Sequence, residues 1–587
     1  MITRLDISQF FEKEFVAARE RWEATMKLEL KERIRKRKAI KDLYLDRDYH
    51  KITEDSINFN NLIRVTVGVN LADFKEGQCL ILHREDSKSG IKCILNAFEG
   101  DEAIILEVFP PNMPSKMSLY YDVPLVLDKD VVDLRENVYH PFVSELPGYN
   151  DVFWKKLILN TKPTPTFEDK QKCADEVDDT AKEYNFNLLP NQREAIINSL
   201  STKDYYLVQG PPGTGKSYVL GIIILEEAFY FGRKVVVIGP NHMAINNTLE
   251  QTLKLLPQCY NSVLKVGQSY NAPTIKIEVD DKEVGIQNIT RLNIYAVKNL
   301  ERGWVIGLTP HSLYTSRAQG LECDTLIIDE AGQMTIPLAL MGMIKAKKVI
   351  LAGDHKQLPP IISSDKIKDE MKLSAFQTLM TEGNYTMLDV SFRMCEPICD
   401  FVSELFYDGK VKSMKKGCGD LIVCDDPLYD FHTPIIIHPV DDDGEQTSDK
   451  EAAFIADTIA GFLKKGLPAD EIAVLSPFRA QAANVRRHIR KQKDISEEQR
   501  KLVVSDTVDK MQGQEREVII YSLVSGNLEY MTEMAEFLYN PNKMNVAFSR
   551  AKSKLIIVGN IEQIKNISTI EYPHIEKMFE SKFPHIV

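Results

Sequence analysis

The segment GPPGTGKS, Gly210 to Ser217, follows directly on the apolar run Tyr206, Leu207 and Val208, and it restricts the fold more than anything else in the chain. It meets the GxxxxGK[ST] spacing at every fixed position, and that spacing works only between a strand and a helix. The glycines let backbone N–H groups turn inward around phosphate oxygens. The lysine reaches the β and γ oxygens, and the hydroxyl holds Mg²⁺. Gly210, Pro211, Pro212, Gly213, Thr214, Gly215, Lys216 and Ser217 are therefore the expected phosphate contacts, with Ser217 also a metal ligand. Val219 to Leu225 reads as the helix whose N-terminus faces the anion. The chemistry this implies is nucleoside triphosphate hydrolysis on an α/β layer.

A site of that kind needs acids on a later strand. Thr325, Leu326, Ile327 and Ile328 form a short buried-strand run that ends in Asp329, Glu330, Ala331, Gly332 and Gln333. Asp329 is expected to hold Mg²⁺, and Glu330 to orient and deprotonate the attacking water. An isolated Asp-Glu pair more often caps a helix. Its place downstream of a complete phosphate loop favours catalysis instead.

Further along, Val349 to Ala352 opens into GDHKQLPP, Gly353 to Pro360. DEAGQ, GDHKQLPP, LDVSFRM (Leu388 to Met394), TVDKMQGQEREVII (Thr507 to Ile520) and NVAFSRAKSKLIIVGN (Asn545 to Asn560) resemble, in order and spacing, the motifs of superfamily 1 helicases. The nearest likeness is to the 5′ to 3′ branch of nonsense-decay, immunoglobulin-mu-binding and senataxin-like enzymes, over roughly residues 186 to 565. The resemblance implies ATP and Mg²⁺ as cofactors and a role for each motif residue. Gln357 would sense the γ-phosphate, while Arg393 and Arg550 would reach it across a cleft, with Arg479 a weaker third candidate. Gln192 would read adenine, Phe392 would stack on it, and Glu515 would bind the ribose. Pro240, Asn241, His242, Thr309, Pro310, Thr507 and Val508 would hold a single strand of RNA or DNA by its backbone. Asn241-His242 departs from the family's commoner Ser-Asn pair, which puts individual hydrogen bonds in doubt but not the site.

The α/β fold expected has two tandem RecA-like parallel-sheet motor domains, preceded by a helical stalk and a small β-barrel. The boundaries read as a stalk helix over 1–48, a barrel over 49–145, a linker or return stalk over 146–185, and motors over 186–385 and 386–587. The stalk helix is expected from about Ile7 to Leu45, and the basic burst Lys31 to Lys38 within it reads as a solvated face. Barrel strands are expected at Ile63 to Val69, Gln78 to His83, Gly90 to Ala97 and Glu102 to Val108, and Ala72 to Leu82 resembles a segment of the family's barrel. Lys162 to Thr166 marks the linker, and about 256–302 reads as a short helical insertion.

A net charge of −12 excludes a uniformly basic nucleic-acid coat, so a strand must lie in a local groove. The absence of a long uncharged apolar run or a signal-peptide core points to an intracellular, cytoplasmic protein, nuclear if eukaryotic, with no membrane partner. Nine cysteines suggest reduced thiols, and Cys395, Cys399, Cys418 and Cys424 lack a metal-binding CxxC spacing. Protein partners would use the barrel or the insertion, and a monomer is expected. The alternative to a motor is an ATP-gated RNA or DNA clamp that recruits partners with little unwinding.

Overall fold

The computed structural model describes the 587-residue chain except positions 1, 37, 50–61, 68–73, 75–77, 86–89, 100–102, 109–116, 147–163, 268–274, 280–281, 290–291, 295–296, 298–302, 420, 512, 525, 567–571 and 587. Residues 162–163 of the expected linker, and 72–73 and 75–77 of the barrel-like segment, lie outside the described residues.

A capping box starts the first helix, Arg4–Met26: the Thr3 hydroxyl accepts from Asp6 N at 3.2 Å, and Asp6 Oδ2 accepts from Thr3 N at 2.8 Å. A second helix, Leu30–Arg35, follows, and there the helical course stops. Where a continuous helix to Leu45 was expected, Ala39–Leu45 forms strand β1, with Ala39, Ile40, Leu43 and Leu45 buried. It closes an antiparallel barrel with β2 (Leu62–Val67), β3 (Cys79–Arg84), β4 (Gly90–Glu99), β5 (Ala103–Val108) and β6 (Leu125–Lys129), in the order β1-β2-β5-β4-β3-β6. The basic burst is not wholly solvated. Arg33 is buried, its guanidinium donating to Asp128 of β6 at 2.5 Å, and Asp128 also meets His83 Nε2 at 2.8 Å. The carboxylate offsets the desolvation of the buried guanidinium.

The first helix joins the barrel to the chain's second half. Trp22 Nε1 donates to Lys129 O of the barrel at 2.7 Å, while Glu14 accepts from Ser363 N at 2.9 Å and Ser364 N at 2.8 Å.

Short runs of Val, Ile and Leu, apolar on both faces, build two parallel sheets covered by helices. The first comprises β7 (Tyr205–Gln209), β8 (Lys234–Ile238), β9 (Val263–Val266), β12 (Gln287–Ile289), β13 (Trp304–Gly307), β14 (Cys323–Ile328), β15 (Ala346–Gly353) and β16 (Tyr385–Met387), ordered β12-β9-β13-β8-β14-β15-β7-β16. Among the described residues of the expected helical insertion, β-strands predominate over helix. β9 and β12 extend this sheet, and β10 (Lys276–Val279) with β11 (Lys282–Gly285) forms a hairpin. The alternation in KIEV has the strand period of two, not the helical 3.6. β16 pairs with β7, so the first sheet runs on to Met387.

β17 (Val390–Cys395) and β18 (Lys412–Lys415) form a two-stranded ribbon. A disulfide joins Cys395 to Cys418 beside it, contrary to the expectation of reduced thiols, whereas Cys399 and Cys424 are free. The second sheet holds β19 (Ile435–Pro439), β20 (Ile472–Ser476), β21 (Val504–Thr507), β22 (Arg516–Ser522), β23 (Ala551–Gly559) and β24 (His585–Ile586), ordered β21-β20-β22-β23-β19-β24. Among the described residues no helix is long and apolar enough to cross a membrane, and no group of His, Cys, Asp and Glu is arranged to hold a metal ion.

Candidate active site and strand face

The phosphate loop leaves β7 at Gln209 and enters the helix Lys216–Leu225. Gly213 and Gly215 lie at φ 74° and 80°, left-handed values that side chains resist, and so let the loop curl back on itself. Thr214 Oγ1 donates to Pro211 O at 2.8 Å, which tightens the curl. A Cβ on Gly210 would fall 2.7 Å from Lys216 Cβ, so the loop's first glycine makes room for its lysine. Gln192 is buried beneath the loop: Nε2 donates to Thr214 O at 3.2 Å and Oε1 accepts from Leu189 N at 3.1 Å. The residue expected to read adenine thus also braces the loop. Each amide atom keeps one further hydrogen-bonding position.

Lys216 Nζ stands between the two acids at the end of β14, 2.9 Å from Asp329 Oδ1 and 2.5 Å from Glu330 Oε1. Burial alone would lower the lysine's pKa; the two carboxylates more than reverse this and hold it above its ordinary value. Burial likewise opposes ionisation of Glu330, and Lys216 overcomes that, so the carboxyl stays below its usual range. Glu330 adopts φ 54°, a left-handed conformation rare outside glycine, with its amide held by Asp329 Oδ1 at 2.7 Å and its Oε2 by Gln333 Nε2 at 2.8 Å. Asp329 is fixed from its other oxygen by Thr248 Oγ1 at 2.7 Å. The Ser217 hydroxyl and the Asp329 carboxylate are hard oxygen donors, the set that suits Mg²⁺.

The second sheet's side reaches this loop directly. Phe392 N donates to Gly213 O at 2.8 Å and Ser391 Oγ to Pro212 O at 2.9 Å, which lays β17 along the phosphate loop. A side chain on Gly213 would strike Arg393 Cβ at 2.5 Å. The Phe392 ring is 43% exposed beside the loop, open to a flat ligand. Arg393 Nε donates to Glu515 Oε2 at 2.5 Å and its Nη1 to Ser549 O at 3.2 Å, so two residues expected to touch different parts of a nucleotide touch each other here.

Arg550 is 2% exposed and donates to Val546 O at 3.0 Å, Gln514 O at 3.4 Å and Gln357 Oε1 at 3.0 Å. None of these partners is anionic. Burial, with the nearby Arg393, pulls its pKa down to about 9. Gln357 Nε2 in turn donates to Asp354 Oδ2 at 3.0 Å. Arg479, the weaker candidate, begins the helix Arg479–Lys491.

The expected strand contacts sit at carboxyl ends of strands, as ligand residues do in open parallel sheets. Pro240, Asn241 and His242 follow β8 and are exposed; Asn241 caps the next helix, accepting from Ala244 N at 3.0 Å. Thr309 and Pro310 follow β13, with Thr309 Oγ1 3.0 Å from Ser312 Oγ. Thr507 ends β21, and Val508 begins the turn after it; both are buried. A Cβ on Gly513 would lie 3.9 Å from Met243 Sδ, so the two halves approach one another near this face.

Sequence reasoning passed over Thr248, Ser391, Tyr407, Asn542 and Asn545, all of which contact the loop, its acids or the 354–357 segment. Ser391 and Asn545 lie inside quoted motifs and could have been found there. Thr248 and Tyr407 meet their partners across 81 and 53 residues of chain, and no local pattern marks them.

Two AAA domain families match the chain, one at residues 187–295 and 287–365 and the other at 371–562. Together the matches take in the first sheet, the second sheet apart from β24, and every motif residue named above. The chain belongs to the superfamily 1 helicases. It is 27% identical over 515 residues to the DNA polymerase alpha-associated DNA helicase A of Schizosaccharomyces pombe, covering 77% of this chain and 74% of that one. It is 25% identical to an uncharacterized ATP-dependent helicase of Methanocaldococcus jannaschii, covering 68% and 73%. It is 24% identical to a regulator of nonsense transcripts 1 homolog of Arabidopsis thaliana, covering 88% of this chain and 45% of the relative. As a superfamily 1 helicase the chain uses ATP and binds nucleic acid.

Proposed function

We propose that this helicase steps 5′ to 3′ along one strand of RNA or DNA as a monomer, closing its two motors on Mg²⁺-ATP and reopening after hydrolysis. The observation that carries the reading is Arg550, a buried guanidinium on the second motor that makes no direct ion pair among the described residues and is held against Gln357 of the first. Leaving such a charge unpaired is costly, and a γ-phosphate would relieve the cost. Ser217 and Asp329 would hold Mg²⁺, which neutralises phosphate charge when bound. Lys216 would exchange its carboxylates for the β and γ oxygens. That exchange leaves Glu330 free to take the proton of the attacking water. Arg393 would leave Glu515 for the phosphate, freeing that carboxylate for the ribose, while Phe392 stacks on the base. Asn241, His242, Thr309, Pro310, Thr507 and Val508, with Pro240, at the carboxyl ends of β8, β13 and β21, would grip the strand's backbone without reading its sequence.

Single-turnover hydrolysis and nucleotide affinity of Arg393→Ala and Arg550→Ala test the shared site. Fingers of this kind are worth about 10³ to 10⁵ in rate, so hydrolysis should fall by orders of magnitude while affinity changes far less. Wild-type hydrolysis in both variants would mean that the two motors do not share a site.

A further inference from the structure

Tyr407 lies between the motifs, just beyond the helix Glu396–Phe406, with its side chain buried in the second motor's core. Its hydroxyl leaves that core and donates to Asp354 Oδ2 of the first motor at 2.5 Å, while accepting from Asn545 Nδ2 at 2.7 Å. Asp354 is equally buried, and its carboxylate serves four donors. Gln209 Nε2 at 3.3 Å and Lys356 N at 3.1 Å take Oδ1; Gln357 Nε2 at 3.0 Å shares Oδ2 with Tyr407.

The chemistry of these groups dictates the orientation of Gln357. A carboxylate only accepts, so the amide must turn its NH₂ toward Asp354 and its oxygen away. That oxygen is the one that receives Arg550 Nη2 at 3.0 Å. The loop is also fixed by backbone contacts. Asn545 Nδ2 reaches Lys356 O at 2.7 Å, and Asn542 Nδ2 reaches His355 O at 3.0 Å. A cycle therefore runs from Tyr407 through Asp354, Gln357 and Arg550, then along the helix Pro541–Phe548 to Asn545 and back to Tyr407. Burial, and then the adjacent Asp354 carboxylate, raises the phenol well above its ordinary pKa, which keeps it a neutral donor at neutral pH.

We infer that Tyr407 is a positioning residue for ATP hydrolysis: through Asp354 it fixes the Gln357 amide that aims Arg550, so that sensor and finger act as one unit. The inference rests on the roles proposed above for Gln357 and Arg550. It adds a residue that touches neither nucleotide nor strand.

The test is Tyr407→Phe in the full chain, which keeps the ring and removes only the hydroxyl, measured with saturating poly-dT. Hydrolysis at saturating ATP should fall about tenfold with KM for ATP within about twofold, because the misaimed finger meets charge that develops in the transition state, and the melting temperature should change little, because Asp354 keeps its donors from Gln209, Lys356 and Gln357. Asp354→Asn, which lets the Gln357 amide turn over, should reproduce the defect. In the double variant Tyr407→Phe with Arg550→Ala the losses should be strongly less than multiplicative, as for groups acting as a unit. Unchanged hydrolysis in Tyr407→Phe, a loss accounted for by a lower melting temperature alone, or fully multiplicative losses would each overturn the inference. If Arg550→Ala alone hydrolyses like wild type, the finger reading has failed; if only Tyr407→Phe does, that reading stands and this one falls.

Discussion

Lys216 and Glu330 are bonded to each other, yet their loss should leave different defects. Lys216→Ala removes a phosphate contact and also strands the buried Asp329 and half-buried Glu330 carboxylates, so ATP affinity and turnover should both drop. Glu330→Gln keeps the shape and leaves Asp329 in place; it should bind ATP and strand together and hydrolyse almost nothing. Filter binding and single-turnover hydrolysis on the two variants distinguish these outcomes, and near-normal turnover in Glu330→Gln would remove it as the base. Arg550 allows a sharper contrast, because its buried charge is unpaired by any anion among the described contacts. Substituting an apolar side chain of similar length relieves that desolvation. Arg550→Met should therefore melt at or above the wild-type temperature without nucleotide while losing hydrolysis by orders of magnitude. A marked drop in melting temperature would show that the arginine is kept for stability and not for ATP.

At the scale of elements, the helix Asp449–Lys464 carries a titrating group into the second motor's interior. Glu451 accepts from Ser522 Oγ of β22 at 2.6 Å and from Val524 N at 3.3 Å, where Val524 holds a left-handed φ of 56°. Burial pushes its carboxyl up to about 8, from an ordinary 4.5. The folded state therefore holds a proton that the unfolded chain has lost between these values, and stability falls as pH rises through that window, by at most about 1.4 kcal/mol per unit. Glu451→Gln keeps an acceptor and cannot ionise. Its melting temperature should gain on wild type steadily from pH 5 to pH 8, and parallel curves would show that Glu451 is ionised in the fold. The elements also show what the sequence made legible. The phosphate loop, its acids and the apolar runs of both sheets declare themselves locally, because a glycine turn or a fully buried strand is specified by adjacent residues. β1 was hidden by the helical run before it, and β16 by a sheet that recruits it across the expected boundary. That Gln192 also braces the loop above it was not legible, since a side chain's neighbours in space are not written in its neighbours in sequence.

For the whole molecule, the question is how a strand on one face speeds chemistry on the other. Both sites straddle the same two sheets: β17 and Arg550 meet the phosphate loop and Gln357, while the ends of β8, β13 and β21 carry the expected strand contacts. A strand bridging the motors would favour the closed arrangement in which Arg550 is aimed, so its binding energy appears as turnover. ATP hydrolysis should accordingly be slow alone, rise strongly with single-stranded poly-U or poly-dT, and respond weakly to blunt duplex. Because the chain carries a net charge of −12 and must hold phosphates in a local groove, the stimulation should fade steeply with salt, and comparisons need one ionic strength. Duplexes with a single-stranded tail at one end separate a motor from a clamp: displacement from a 5′ tail and not a 3′ tail fits the proposed polarity. Stimulated hydrolysis without displacement from either tail would leave an ATP-gated clamp, and equal hydrolysis with and without nucleic acid at low salt would break the link between the two faces on which the motor reading depends.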